Sequence, residues 1–380
     1  MSRLTVGILG TSRKENERRL PIHPLHLETI DPELRRSVFV EEGYGAHFGT
    51  NKEELAGLVA GVLPKEQLVD ECDVLLLPKP LAADLREMRE GQVLWGWPHC
   101  VQDEELTQAA IDRRLTLIAW EAMNHWQPDG TFGIHVFHKN NELAGYCSVL
   151  HALQLVGRTG HYGRPLRAAV ISFGATGRGA VTALNALGIF DVTVMTQRDP
   201  AAVASPPHSA TMLRFDARDD GSLVVAAETG DVPMAELLAD HDVVVNCVLQ
   251  DPDAPYVFVT YDDLPSFRPG SLVVDVSCDA GMGFEWARPT SFEDPMFEVG
   301  GGIRYYAVDH SPSHLWDAAT WEISEALLPY LGTVLAGPGA WEAEPTIAHA
   351  IEIRDGVVRN PKILSFQGRS DEYPHDKTET

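Results

Sequence analysis

Basic residues are scarce in this chain. Thirty Lys and Arg stand against 55 Asp and Glu in 380 residues, a formal net charge of −25. Nucleic-acid backbones are held by clustered cations, so this balance argues against a nucleic-acid partner. An anionic ligand must be held by local positive groups against the overall field. Cysteine is also sparse. Cys72, Cys100, Cys147, Cys247 and Cys278 are scattered and form no C-x-x-C pair, so neither a disulfide framework nor a metal-ligand set is expected. No apolar run approaches the ~18 residues of a membrane span. The N-terminus enters a strand pattern without a signal segment. A reduced, cytoplasmic protein with no membrane partner is expected. Internal repeats and low-complexity tracts are missing too. What remains is a globular composition, 44% hydrophobic, at a length that suggests two domains.

The most informative stretch runs from Ala168 to Arg198. An apolar run, Ala168 to Ile171, meets Ser172-Phe-Gly174-Ala-Thr-Gly177-Arg-Gly179. A helical pattern follows, then a second apolar run, Val192 to Met195. Strand, glycine turn, helix and strand place a dinucleotide pyrophosphate on a helix N-terminus. Ser172, Gly174, Ala175, Thr176, Gly177 and Arg178 are the candidate cofactor contacts, with Cys247 and Val248 at the end of a later strand. Ser172 replaces the first glycine of G-x-G-x-x-G. Thr196-Gln197-Arg198 stands where a carboxylate would bind the ribose 2′-OH. An arginine there suits a 2′-phosphate, so NADP(H) is expected in preference to NAD(H). The alternative is a solvated Arg198, with Asp199 one residue further on.

Short apolar strands are predicted at Leu4–Leu9, Ser37–Val40, Val74–Leu77, Val93–Trp97 and Leu115–Ala119, with helical patterns between them such as Asp103–Arg113. Such alternation implies a parallel sheet covered on both faces. Asn140–Val156 reads as a long helix leading into the dinucleotide domain. The later strands of that domain are predicted at Val243–Val248 and Leu272–Val276. Pro200 to Gly230, with Pro206-Pro207, reads as a polar surface excursion. Ala318–Leu331 is helical in pattern and returns to the first domain. Asp355-Gly356 signals a hairpin. The expected class is α/β, with two Rossmann-like doubly wound parallel-sheet domains and a cleft between them. Residues 1–138 with about 312–368 would form the substrate domain, 139–311 the NAD(P) domain, and 369–380 a disordered tail.

Four polar sites share one rule: each stands at the carboxyl end of a strand, where open α/β sheets bind ligands. Lys14-Glu-Asn-Glu17-Arg18-Arg19 offers a guanidinium fork that matches a carboxylate. Lys79 lies between Pro78 and Pro80, where it can bind a carboxylate or carbonyl oxygen. His99 follows Trp95 and Trp97 and can move protons near neutral pH. Asp275 and Asp279 end a strand of the cofactor domain. Each alone reads as well, or better, as a solvated charge, a core histidine or a turn aspartate.

Taken together, these motifs resemble the alanine dehydrogenase superfamily. The family includes pyridine nucleotide transhydrogenase, lysine-forming saccharopine dehydrogenase and carboxyethylornithine synthase. The resemblance covers nearly all of residues 1–368 and rests on K-E-N-E-R-R-L-P at 14–21, L-P-K-P at 77–80, W-P-H at 97–99 and V-D-V-S-C-D-A-G at 274–281. It implies that Arg19 and Lys79 bind the keto-acid or amino-acid carboxylate and carbonyl. It also implies that His99 is the acid/base group and that Asp279 supports the substrate. The serine at 172, Thr196–Arg198, the segment Ala307–Ser313 and the closing Ile363–Arg369 are more similar to carboxyethylornithine synthase. That likeness implies NADPH-dependent condensation of a pyruvate-like keto acid with the amine of an ornithine- or lysine-like amino acid. The alternatives are alanine dehydrogenase-type deamination and a non-catalytic dinucleotide sensor. A homo-oligomer is expected.

Overall fold

The computed structural model describes residues 3–198, 210–227 and 230–378. Asp199 and Pro206-Pro207 lie outside them. The chain divides into two units: Met1–His138 with Trp316–Thr380, and Lys139–Leu315.

In chain order the strands of the first stretch are β1 (Val6–Ile8), β2 (Val38–Glu41), β3 (Gly61–Leu63), β4 (Val74–Leu77), β5 (Val93–Gly96), β6 (Thr116–Ala119), β7 (Asn124–Trp126) and β8 (Phe132–His135). Those of the second unit are β9 (Arg167–Ile171), β10 (Asp191–Thr196), β11 (Ala210–Ala217), β12 (Leu223–Ala227), β13 (Gly230–Pro233), β14 (Val243–Asn246), β15 (Val257–Val259), β16 (Leu272–Asp275), β17 (Gly283–Phe284), β18 (Met296–Val299) and β19 (Ile303–Tyr306). Back in the first unit come β20 (Ile351–Arg354) and β21 (Val357–Val358).

The first unit is an eight-stranded sheet in the order β21-β20-β6-β5-β4-β1-β2-β3. Its middle strands are parallel runs of Val, Leu and Ile buried on both faces, as a helix-covered sheet requires. The helix Trp316–Ala336 supplies Ile323, Leu327 and Leu331 to the core of Val6, Ile8, Leu76 and Trp95. β20 adds to β6 antiparallel, with Ile353 opposite Leu117, and turns through Asp355-Gly356 into β21. The tail differs from expectation. Arg369 is buried and donates to Gln367 Oε1 at 2.6 Å, and the buried His375 accepts from the Val358 amide at 3.1 Å. Its low apolar content concealed this, because polar bonds rather than greasy contacts hold residues 369–378.

The second unit is a nine-stranded sheet in the order β13-β12-β11-β10-β9-β14-β16-β19-β18. Both sheets contain the doubly wound order 3-2-1-4-5-6, reading β3-β2-β1-β4-β5-β6 and β11-β10-β9-β14-β16-β19. The described part of the expected surface excursion is sheet instead. β11 pairs with β10 in parallel and β12 folds back antiparallel on β11. Phe215 and Val225 are buried beneath them. The polar residues that suggested a loop occupy the other face of these strands.

Candidate active site

In the first unit, three successive strands end in polar groups. Leu77 of β4 lies opposite Gly96 of β5, and Gly96 opposite Ala119 of β6. Lys79, His99 and Glu121 follow these ends within two or three residues. A Cβ on Gly96 would lie 2.1 Å from the Leu77 carbonyl oxygen, so only glycine lets these strand ends approach. Lys79 Nζ lies 2.9 Å from His99 Nε2. At that distance one nitrogen donates and the other accepts.

His99 has φ +49°, a left-handed conformation that a non-glycine residue adopts at a cost. Its amide donates to Glu121 Oε1 at 2.6 Å. Burial, reinforced by the nearby Glu352 carboxyl, pushes the Glu121 acid well above the ordinary carboxylate range. His135 Nδ1 accepts from the Phe137 amide, which leaves its Nε2–H to donate to the Glu121 carbonyl at 3.2 Å. Burial lowers the His135 pKa to about 4, which keeps the ring neutral.

Arg19 is 4% exposed, and its guanidinium carbon sits 5.2 Å from the centre of the Trp97 ring. Glu17 takes Nε at 2.8 Å and Nη2 at 2.5 Å in a bidentate pair. The fork is therefore already oriented by a buried carboxylate, and Nη1 lies outside that pair. Trp97 and Arg19, far apart in sequence, are thus brought together.

In the second unit the glycine turn joins β9 to the helix Ala175–Ala186, with Gly174 at its N-cap. Ser172 has φ +78° and its amide donates to Met195 on β10 at 2.7 Å. A Cβ on Gly177 would lie 2.4 Å from the Ser172 carbonyl oxygen, so this glycine serves the turn itself. A Cβ on Gly174 would meet nothing within 4 Å, so the space before the turn is open. The free N–H groups of a helix's first turn face such a space, and the arrangement fits a pyrophosphate. Ser172 tolerates the left-handed turn that the fingerprint usually gives to glycine. From the end of β10, Arg198 Nη2 donates to the Phe173 carbonyl at 2.8 Å, and its amide donates to Thr196 Oγ1 at 3.2 Å. The Arg178 guanidinium covers the Phe173 ring at 4.4 Å.

Cys247 and Val248 follow β14, and the Cys247 amide donates to Ile171 at 3.0 Å. Burial raises the Cys247 thiol, so it acts as a small apolar group beside the turn. Asp275 and Asp279 separate into two roles. Asp275 is fully buried and accepts from Asn246 Nδ2, the Cys278 amide and the Tyr305 hydroxyl. Burial still pushes its acid up to about 6. It braces the strand end. Asp279 is partly exposed, with its pKa raised by burial, and remains the available carboxyl. Glu121 escaped the sequence reading, and Glu17 and Phe173 lie inside motifs singled out there without a role of their own. Glu121 follows Leu117-Ile-Ala-Trp120, so the strand-end rule applied to β6 would have found it.

Two doubly wound units, one with strand-end Lys, His and Glu and one with a dinucleotide-type turn, define an oxidoreductase architecture. The chain belongs to the alanine dehydrogenase/PNT family: residues 9–132 match its N-terminal domain and residues 158–361 its C-terminal domain. The alanine dehydrogenase of Halomonas elongata is 29% identical over 332 residues, covering 83% of each chain. The N(5)-(carboxyethyl)ornithine synthase of Clostridium botulinum is 22% identical over 326 residues, 82% of this chain and 89% of that one. A solved L-alanine dehydrogenase superposes with TM-score 0.74 at 22% identity, covering 96% of this chain and 99% of that one. A transhydrogenase from Sinorhizobium meliloti gives 0.69 at 24%, covering 94% and 99%. These two structures share its fold. No described helix is long and apolar enough to cross a membrane.

Proposed function

We propose that the protein is an amino-acid dehydrogenase of the alanine dehydrogenase type, interconverting an α-amino acid and its keto acid with ammonia. The Lys79–His99 contact of 2.9 Å carries this reading. Ser172–Arg178 would hold a nicotinamide dinucleotide, which would supply or accept the hydride, and Arg198 at the end of β10 favours NADP(H). In the aminating direction ammonia adds to the keto carbon, water leaves, and hydride reaches the C=N carbon. Arg19, pre-oriented by Glu17, binds the substrate carboxylate through Nη1. Lys79 donates to the keto oxygen and polarises it. His99 passes a proton to the departing hydroxyl and takes one back in the reverse reaction.

Greater similarity to alanine dehydrogenase than to the synthase, 29% against 22%, favours this reading over opine-type condensation. The second reading draws support from Arg198 and the Asp309-His310 segment, where His310 Nδ1 meets Asp309 Oδ1 at 2.6 Å. An amine panel with pyruvate and NADPH or NADH decides between them. Turnover that requires ammonia is expected. Turnover only with ornithine or lysine transfers the function to opine synthesis. Dinucleotide binding without turnover on any amine leaves a sensor.

A further inference from the structure

β20 carries a carboxyl group in an otherwise apolar, buried pairing. Its register against β6 shifts between Ile351 and Ile353, at Glu352. A bulge of this kind re-aims a side chain. Glu352 is 6% exposed. Its carbonyl accepts from the Arg359 amide at 2.7 Å and the Asn360 amide at 3.2 Å, and its Oε1 accepts from Asn360 Nδ2 at 2.9 Å. Its Oε2 is buried, with no hydrogen-bond partner among the described residues. Glu121 lies just beyond β6, the strand that β20 pairs with. Its Oε1 accepts from the His99 amide, and its Oε2 is again buried with no described partner. Each carboxyl therefore has one oxygen satisfied and one orphaned. Burial raises both acids, and the Glu352 charge raises Glu121 further. The other titratable groups nearby leave these oxygens alone. Lys79 acts on Glu121 from a distance, burial keeps the Cys100 thiol neutral, and His135 binds the Glu121 carbonyl instead of its carboxyl. His125 meets the Tyr330 hydroxyl, and His349 packs on the Trp126 ring.

We propose that Glu121 and Glu352 form a buried acid pair that shares a single proton, and that through it Glu352 is a positioning residue for His99. A proton on either Oε2 turns that oxygen into a donor to the other and satisfies both. Glu121 Oε1 then stays a bare acceptor and holds the His99 amide at φ +49°. Loss of the proton sets two like charges against each other and drives Glu121 away from that amide. The role at His99 rests on the reading of His99 as the acid/base group. The shared proton does not.

Two measurements on the full chain test this. The first compares the protonated-carboxyl infrared band of the parent at neutral pH with those of Glu121→Gln, Glu352→Gln and the double variant. Glutamine keeps the acceptor for the His99 amide or for Asn360 and offers an N–H in place of the shared proton. Either single variant should remove the band of one carboxyl, and the double variant no more. A double variant that removes twice as much, or single variants that remove nothing, overturns the inference. The second is steady-state amination. Glu352→Ala should lower kcat about tenfold with KM within about twofold, and Glu352→Gln should restore most of that loss. The parent kcat should decline as rising pH strips the shared proton, and Glu352→Gln should lack this limb. An unchanged kcat in Glu352→Ala, or equal losses in the alanine and glutamine variants, removes Glu352 from the support of His99. A parent that turns over no amine removes the dehydrogenase reading and the role at His99 with it, whatever the infrared band shows.

Discussion

The two units share one strand order and close their first loop with opposite charges. In the first unit Glu41, at the end of β2, accepts from the Gly10 amide at 2.7 Å, the Thr11 amide at 2.8 Å and the Thr11 hydroxyl at 2.7 Å. In the second unit the equivalent strand β10 ends at Thr196 and sends Arg198 to the Phe173 carbonyl. The acid that doubly wound folds often offer to a ribose is used in the first unit to hold its own loop. Polar chemistry there has moved to the ends of β4, β5 and β6. In the proposed reading the second unit keeps its site at the first turn, so that one topology carries a side-chain site in one unit and a backbone site in the other, and function must be argued from residues and not from fold.

The sharpest way to break this comparison is His99→Ala. The kcat should fall by about 100- to 10,000-fold, the range of a lost acid/base group. Dinucleotide affinity, read by fluorescence, should change by less than about twofold. Equal losses in both would dissolve the division of labour. The backbone site is probed by two alanines. Gly177→Ala drives a Cβ against the Ser172 carbonyl at 2.4 Å and should destabilise by about 1–3 kcal/mol. Its melting temperature should drop by several degrees. Gly174→Ala should melt normally and yet lose dinucleotide affinity, since its Cβ enters the open space. Arg198→Asp makes the second unit resemble the first at this strand end. The NADPH-to-NADH affinity ratio should fall about tenfold, and an unmoved ratio removes Arg198 from cofactor choice.

The smallest effect concerns pH. Burial, with Glu352 beside it, holds the Glu121 acid up to about 8 against an ordinary 4.5. The folded chain therefore keeps a proton that the unfolded chain has already lost in this window. Stability from this group is full below the ordinary value and declines as pH rises through the folded one. Glu121→Gln keeps an acceptor for the His99 amide and cannot ionise. Denaturant unfolding of this variant should show a weaker loss of stability from about pH 5 to about pH 8 than the unaltered chain. A slope equal to that of the parent would mean that Glu121 is not the buried acid responsible.

Much of this was legible in the residues. Val74–Leu77 is the strand the apolar run predicts, and β9, β10, β14 and β16 fall within a residue or two of their expected ends. Such runs are buried on both faces and read plainly. β11 and β12 were not legible, because one face is polar and Pro200, Pro206 and Pro207 precede them in the sequence. The tail was misread for a related reason, since Arg369 and His375 are buried through hydrogen bonds. Lys79 and His99 stand out in the sequence by their place at strand ends. Their contact does not, because only register across β4 and β5 brings residues 79 and 99 together.

The placement of β20 has a consequence for how the protein is made. Leu117 and Ile118 of β6 wait for Ile351 and Ile353, which follow more than 230 residues later in the chain. At ordinary rates of synthesis that wait lasts on the order of tens of seconds. During it the nascent first unit shows an open, apolar strand edge, the kind of edge that invites wrong pairing. The second unit, whose strands all lie between Arg167 and Tyr306, is complete before the first can close. Truncation near residue 350 should therefore leave a folded dinucleotide unit attached to a sticky, unfinished neighbour.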